Sequence, residues 1–250
     1  DVAFYNMPNL ETVTFVDEDS LLDGVGGIGN YAFAKCTSLE EIALPSGFSG
    51  AGEGIFYGCT ALKTVVGAMP VTAYSFYGCK SLTSADLTSA YAIRKYAFAN
   101  CSGLTTVTFS DNLEEIEEYA FSNCTGLTKV TIPELSYSIG SYAFGGCTGL
   151  KELTIADDEI GSYAFKDCTG LTKVNVPANG CVVWAGAFYN CTSLSEITGS
   201  IAHVAEYAFY NCKKLADPSW TDRLSTVGDY AYYGCAALTE LTIGNSAVIG

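Results

Sequence analysis

The chain has 250 residues, of which 49% are hydrophobic and only 16% are charged, so it can form a large apolar core and is not a disordered segment. It contains 12 Lys and Arg against 27 Asp and Glu, and the resulting net charge of -15 would repel phosphate backbones and anionic lipid. Nucleic acid is therefore not an expected partner. No run of 18 apolar residues is present, so membrane insertion is not expected either.

Cysteine recurs at a nearly constant spacing along the chain. Ten cysteines follow one another at steps of 20 to 23 residues: Cys36, Cys59, Cys79, Cys101, Cys124, Cys147, Cys168, Cys191, Cys212 and Cys235. A fixed period of this length indicates stacked repeats that share one continuous core. We therefore predict a single domain over residues 1–250, made of about eleven repeats of 20–23 residues. The first copy begins midway, with Met7 at the cysteine position.

Each complete repeat begins with a return segment that leads to the cysteine. It starts with an aliphatic residue such as Ile139 and continues through Tyr142, Ala143 and Phe144 to Cys147. A Tyr and a Phe two residues apart, with Cys three residues further on, favour a short helical turn over a strand. The Phe column is predicted to fill the back of the core: Phe33, Phe56, Phe76, Phe98, Phe121, Phe144, Phe165, Phe188 and Phe209, continued by Tyr232.

A strand is predicted after each cysteine. Leucine stands three residues after the cysteine, and apolar residues such as Leu153 and Ile155 follow at six and eight residues. Spacing of two is typical of a strand, and one strand per copy predicts a parallel sheet along one side of a solenoid. Prolines that follow the strand would end its hydrogen-bonding ladder in three copies: Pro45, Pro133 and Pro177. The tenth strand, which contains Pro218 and Trp220, is expected to be short or broken.

The ten regularly spaced cysteines are expected to be reduced and buried in one column. Parallel strands lie about 4.8 Å apart, whereas the Cβ atoms of a disulfide approach to about 3.8 Å. Cysteine then acts as a small hydrophobic residue. Cys181 stands outside the column, and we expect it to lie in a loop and to react faster than the others.

The complete motif resembles a known family of repeats. Residues 139–155 read Ile-Gly-Ser-Tyr-Ala-Phe-Gly-Gly-Cys-Thr-Gly-Leu-Lys-Glu-Leu-Thr-Ile, which is similar to the BspA-like, or treponemal-type, leucine-rich repeat. The resemblance extends over the whole chain. It implies a leucine-rich repeat solenoid, a right-handed β/α superhelix with its parallel sheet on the concave side and short helical turns and loops on the convex side.

The same resemblance implies a place and a role. Proteins of this family are often exported to the surface of bacteria, and some adhere to host matrix proteins or to other cells. We accordingly expect an extracellular or bacterial cell-surface location and a non-enzymatic binding or adhesion scaffold, which presents a repeat face to a protein or cell-surface ligand. The alternative is a passive structural spacer array that displays another domain.

The outward strand positions form the largest coherent surface and are the candidate concave interaction face. Its residues are Glu41, Thr64, Thr106, Lys129, Thr131, Glu152, Thr154, Lys173, Asn175 and Glu196. Eleven strands would give a strip about 50 Å long, enough for a protein interface. The strip contains no Trp, Tyr or Arg, the residues that dominate binding energy, so its Thr columns also fit ordinary solvent-facing strands. Four successive charges of alternating sign, Lys129, Glu152, Lys173 and Glu196, are expected side by side, where they would maintain register and solubility.

A row of Cys181, His203, Asp158 and Glu159 is the kind of set from which a nucleophile or a metal site is built. These positions lack a second histidine and a glycine turn that could form an oxyanion hole. We therefore expect no catalytic, cofactor-binding or metal-binding residues, and no cofactor.

Two acidic runs and two tryptophans are further candidates. The runs Glu114, Glu115, Glu117, Glu118 and Asp157, Asp158, Glu159 are read as solvated faces rather than calcium sites, because no Asp-x-Asp-x-Asp-Gly loop is present. Trp184 and Trp220 would anchor a partner if they lay on a repeat edge, but burial is the preferred interpretation for both.

The two ends of the chain are in phase with each other. Ile249 and Gly250 occupy the Ile-Gly place of the return segment, and Asp1 resumes the frame at the following residue. Repeat arrays usually need polar caps, so we expect either flanking repeats or a capping domain in the intact protein, or head-to-tail self-association of chains.

Overall fold

The computed structural model describes residues 1–15, 27–44, 50–216, 218, 224–241, 243 and 247–250. In these residues the chain forms a solenoid of stacked coils held by short parallel strands, and none of them is helical. Within the same ranges, no helix exists that would be long and apolar enough to cross a membrane.

The predicted strands are present after eight of the ten regularly spaced cysteines, Cys36 to Cys191, and form the first sheet, whereas residues 236–241 and 243 after Cys235 form no strand. They are β1 (Glu41–Ala43), β2 (Thr64–Val66), β3 (Ser84–Leu87), β5 (Thr106–Phe109), β7 (Lys129–Ile132), β8 (Glu152–Ile155), β10 (Lys173–Asn175) and β12 (Glu196–Thr198). Parallel pairing joins β1 to β2, β3 to β5, and β7, β8, β10 and β12 in that order. Pro133 directly follows β7 and Pro177 lies two residues after β10, as predicted, whereas Pro45 lies outside the described residues. Most of the tenth strand, including Trp220, also lies outside them.

A second parallel sheet, which the sequence analysis did not predict, is formed where each return segment begins. Its strands are β4 (Ala92–Ile93), β6 (Glu115–Ile116), β9 (Glu159–Ile160), β11 (Cys181–Val183), β13 (Ile201–Val204), β14 (Thr226–Val227) and β15 (Val248–Ile249). Single-residue bridges from Ile116 to Ile139 and from Ile139 to Ile160 connect β6 to β9. In most return segments, as at Ile116, Ile139 and Ile160, the aliphatic residue is therefore held by both the core and a backbone ladder.

The predicted helical turns are wrong, because the return segment is a run of tight turns. Tyr142 has a φ of 56°, in the left-handed region that no helix contains. Alternate amides bond within the coil, as from Gly145 to the Tyr142 carbonyl at 2.9 Å. The others bond to the next coil, as from Phe144 to the Ala164 carbonyl at 2.8 Å. Stacked coils can therefore satisfy each other's backbone hydrogen-bonding groups. In a helix, the backbone amides would bond only within the same segment.

The predicted Phe column is confirmed as the back of the core. Phe144 is fully buried, and its ring stacks on Phe121 and Phe165 with centroid distances of 5.0 and 5.2 Å. Tyr232 continues the column, with its centroid 5.5 Å from that of Phe209. Face-to-face packing of this kind keeps one aromatic layer per coil and fixes the spacing between coils.

The cysteine column is confirmed too, since all ten cysteines are free and buried. Each thiol donates a hydrogen bond to the carbonyl of a Phe in the preceding coil, for example Cys59 Sγ to Phe33 O at 3.0 Å. Burial raises the pKa of the Cys59 and Cys101 thiols to about 12. These sulfurs are therefore protonated donors inside the core.

Candidate interaction surfaces

The candidate interaction face lies on the outer side of the first sheet, and we call its ten residues the first-sheet strip. On β7, Lys129 and Thr131 are exposed while Val130 and Ile132 between and beside them are buried. The same alternation holds along the other strands of the strip, with Thr154, Lys173 and Asn175 half-buried. The sequence therefore assigned the strand faces correctly.

The alternating charges of the strip do stand side by side, as predicted. In the sheet register Lys129 lies opposite Glu152, which lies opposite Lys173, which lies opposite Glu196. Lys129 Nζ is 3.4 Å from Glu152 Oε2, and Lys173 Nζ is 2.6 Å from Glu196 Oε1. Exposed pairs of this kind contribute about 0 to 1 kcal/mol each, so they help to hold register without adding much stability.

A second row of the strip is linked by side-chain hydrogen bonds. The Asn175 amide donates to Thr154 Oγ1 at 3.1 Å and accepts from Thr198 Oγ1 at 2.7 Å. The row therefore resembles a polar ladder across β8, β10 and β12. Its groups are already ordered, so a partner would meet a rigid surface of hydroxyls, methyl groups and paired charges.

The two acidic runs differ in structure. In the first run the carboxylates pair with the chain's own cations: Arg94 contacts Glu115 and Glu117 at 2.5 and 2.8 Å, and Lys95 contacts Glu118 at 2.6 Å. The prediction of a solvated face is confirmed for this run, and the structure adds that its charge is compensated by Arg94 and Lys95. Among the residues that the structure describes, no three His, Cys, Asp or Glu side chains are grouped as metal ligands would be.

In the second run the solvated-face interpretation is wrong for Asp157. This residue is only 3% exposed, and its Oδ1 accepts the Asp158 amide at 2.9 Å. Within the described part of the chain, Oδ2 has no hydrogen-bond partner. Burial raises the pKa of Asp157 to about 6. This burial was not predictable from the sequence, because the bend that contains Asp157 leads into β9 of the second sheet, which was not predicted.

The prediction that Cys181 lies in a reactive loop is wrong. Cys181 is the first residue of β11, is fully buried, and has its pKa raised to about 12, chiefly by burial. His203 lies opposite Val182 in the sheet, not opposite Cys181, which is paired with Ile201. Since successive strand residues point to opposite faces, the thiol faces the core while the imidazole lies on the outer face. The thiol and the imidazole therefore do not form a nucleophilic pair.

The interpretation of Trp184 as a buried residue is also wrong, since its side chain is 40% exposed. Its Nε1 donates to Glu159 Oε2 at 3.1 Å, and its ring centroid lies 5.6 Å from that of His203. His203 Nδ1 in turn contacts Thr226 Oγ1. We call Glu159, Trp184, His203 and Thr226 the Trp184 patch. The register of the second sheet brings these residues together. Glu159 and His203 were expected in one row, but their contact with Trp184 was not predicted.

Tyrosines cover the outside of the turn segments in a further ladder. Tyr96, Tyr119 and Tyr142 stack with centroid distances of 4.8 and 5.0 Å. At Gly186, which interrupts the column, the ring of Tyr163 lies where a Cβ atom would stand, 2.2 Å from its position. Lys166 Nζ lies 5.4 Å from the ring centroid of Tyr189. The recurrence of these tyrosines is visible in the sequence. The stacking of their rings was not predictable, because it depends on the geometry of the turns.

Comparison with solved structures supports the solenoid. A leucine-rich repeat protein from Bacteroides ovatus is 28% identical, with a TM-score of 0.81, and the match covers 99% of this chain and 70% of that one. The Treponema pallidum leucine-rich repeat protein is 26% identical over 82% of this chain and 91% of its own, with a TM-score of 0.58. A leucine-rich cell surface protein from Faecalibacterium prausnitzii shares the fold at 22% identity and a TM-score of 0.51, with 85% of this chain and 75% of that chain covered. None of the proteins with curated functions is significantly similar to the chain.

The family itself follows from the repeats. The model of the BspA type leucine-rich repeat region matches residues 1–69, 69–195 and 158–250, which together span the chain. These matches agree with the stacked turns, the buried Cys and Phe columns and the parallel first sheet. The chain belongs to the BspA-type leucine-rich repeat family of bacterial proteins.

Proposed function

We propose that this protein is a non-enzymatic scaffold of the bacterial exterior, and that the first-sheet strip binds a protein or cell-surface partner. The observation that carries the proposal is the strip itself: a row of paired charges, and an Asn175 amide that is hydrogen-bonded to threonine hydroxyls, on a rigid parallel sheet. Binding to such a surface orders few side chains, which lowers the entropy lost on association.

The location of the protein outside the cell is part of the same proposal. It is supported by family membership and by the similar fold of a Faecalibacterium prausnitzii protein described as a leucine-rich cell surface protein. The eleven free, buried thiols fit an exterior location as well, because the core shields them from oxidation.

A passive spacer is the second candidate, and one observation favours it. The polar groups of the strip pair with one another, and the strip has no Trp, Tyr or Arg to act as a binding anchor. A stiff array with a self-paired surface would hold another domain away from the cell without binding anything itself.

Capture from host matrix and cell-surface extracts distinguishes these candidates. The immobilised chain is compared with Thr131→Arg, which adds a large charged side chain at the middle of the strip, and with Ser102→Arg, the same addition at an exposed turn off the strip. The binding proposal expects a captured partner that Thr131→Arg loses and Ser102→Arg keeps. Absence of any partner favours the spacer, and equal loss in both variants places the binding elsewhere.

A further inference from the structure

The Trp184 patch is a second surface, separate from the first-sheet strip, and it has the aromatic residue that the strip lacks. Trp184 contacts one residue of the preceding coil and one of the following coil, Glu159 and His203. Its backbone is fixed as well, because its amide donates to the Ile160 carbonyl at 3.0 Å. The indole is thus held on a rigid sheet while 40% of its surface faces solvent.

The surroundings of the indole are uniformly acidic. The stretches that form these coils, 157–162, 180–186, 200–206 and 224–229, contain five carboxylates and no Lys or Arg. Asp158, Glu206 and Asp229 are exposed, and the Glu206 carbonyl accepts the amide of Gly186, two residues beyond Trp184. This differs from the acidic run of the second sheet at β6, where Arg94 neutralises the charge.

An exposed indole beside a carboxylate is the arrangement that attracts an organic cation. The face of a Trp ring is the strongest aromatic site for an ammonium or guanidinium group, and the attraction is worth about 0.5 to 2 kcal/mol, depending on desolvation. Glu159, whose carboxylate accepts the indole Nε1–H, places a negative charge at the edge of that ring. Trp is also the residue type most enriched among binding hot spots.

We propose that the Trp184 patch docks a basic segment of a partner protein, with a Lys or Arg side chain laid on the indole and its charge beside Glu159. Charge complementarity selects this partner: the four carboxylates other than the buried Asp157 attract a polycation, repel nucleic acid and acidic lipid, and give a neutral glycan no advantage.

The test measures binding of an end-capped hexa-arginine peptide to the full chain by calorimetry at near-physiological salt. Trp184→Ala should weaken binding about 3- to 30-fold, the range that a lost cation–π contact gives. Glu159→Gln should weaken it by more than the matched control Glu41→Gln, which removes one carboxylate from the exposed face of β1. Thermal melts show that each variant is folded, and the Glu159 and Glu41 comparison remains valid even if Trp184→Ala is unstable.

Three results would overturn the proposal. One is unchanged affinity in folded Trp184→Ala, and another is equal weakening by Glu159→Gln and Glu41→Gln, which would mean diffuse attraction to an acidic chain. The third is Trp184-dependent binding of a neutral oligosaccharide with no binding of the peptide. Trp184→Ala and Glu159→Gln leave the first-sheet strip untouched, and Glu41→Gln serves only as the charge control. This test and the test of the strip therefore succeed or fail separately.

Discussion

The thiol of Cys79 and the amide of Cys59 both donate hydrogen bonds to the carbonyl oxygen of Phe56, at 3.1 and 3.0 Å. One bond comes from the same coil and the other from the next coil. A carbonyl oxygen has two acceptor sites, and both are satisfied here without water. This explains why the column contains cysteine, since Ala or Val at the same place would fill space without supplying the second donor.

The first prediction concerns thiol reactivity. Because all eleven thiols are buried, and burial raises the pKa of Cys181 to about 12, none of them should react with a thiol reagent within minutes at about pH 8, and all should react in urea. Mass spectrometry after a timed pulse identifies the labelled residues. Preferential labelling of Cys181 would contradict its burial in β11.

The second prediction concerns the aromatic column. Phe144→Ala should lower the free energy of unfolding by about 3 to 5 kcal/mol, because it removes a buried ring that packs on rings from both neighbouring coils. The control is Thr131→Ala on the exposed face of β7, which should change the free energy by less than about 0.5 kcal/mol. Urea melts of both variants test which residues are buried and which are exposed. Equal losses of unfolding free energy would show that the buried and exposed faces of the strands are assigned wrongly.

The third prediction concerns Asp157 and pH. Its pKa is about 6 in the folded chain and about 3.9 in an unfolded one, so the folded state binds the proton more tightly. The contribution of this group to stability is therefore full below about pH 4 and is lost as the pH rises through about 6.

Asp157→Asn removes the titration and keeps an acceptor for the Asp158 amide. The free energy of unfolding of the variant, relative to the original chain, should increase from about pH 4 to about pH 7 and then level off. Urea melts at unit pH intervals measure this difference. A difference that does not change with pH would mean that the carboxyl is solvated.

The fourth prediction concerns the interruption of the tyrosine column. Gly186 and Gly78 both have a positive φ, 59° and 72°, but only at Gly186 does a neighbouring ring, that of Tyr163, occupy the place of the Cβ atom. Gly78→Ala should cost about 1 to 2 kcal/mol of unfolding free energy from backbone strain alone. Gly186→Ala should cost more, because the ring must also move. Urea melts measure the unfolding free energies of both variants. Equal losses would show that the Tyr163 ring can move aside without an energetic cost.

The first sheet was predictable because each of its strands is long enough for alternation to show, as in the exposed and buried residues of β7. The second sheet was not, since a two-residue strand such as β9 contributes one buried and one half-buried residue and has no visible period. Cys181 was misplaced because the three residues of β11 are all apolar and show no alternation, and Trp184 directly follows that strand.

The turn segment could have been recognised by a different signal. Asn, Asp or Gly stands before most cysteines of the column, as at Asn100, Asn123 and Asp167, and each of these has a φ near 60°. These residue types tolerate left-handed conformations, so their recurrence indicates turns rather than helix. Tyr at its own left-handed position carries no such signal, because its φ is imposed by the stack.

The coil-to-coil ladder of the turn segment has a genetic consequence. Tyr142, Phe144 and Gly146 donate their amides to the carbonyls of Ser162, Ala164 and Lys166, and Tyr163 and Phe165 repeat the arrangement one coil later. Since the bonds join backbone atoms at equivalent places, duplication or loss of one whole repeat by recombination leaves every remaining donor facing an acceptor. A single-residue insertion within the turns would instead shift a donor onto the wrong neighbour. Such a gene is free to lengthen or shorten in whole repeats, while changes in the size of a repeat are confined to the segments between its two strands.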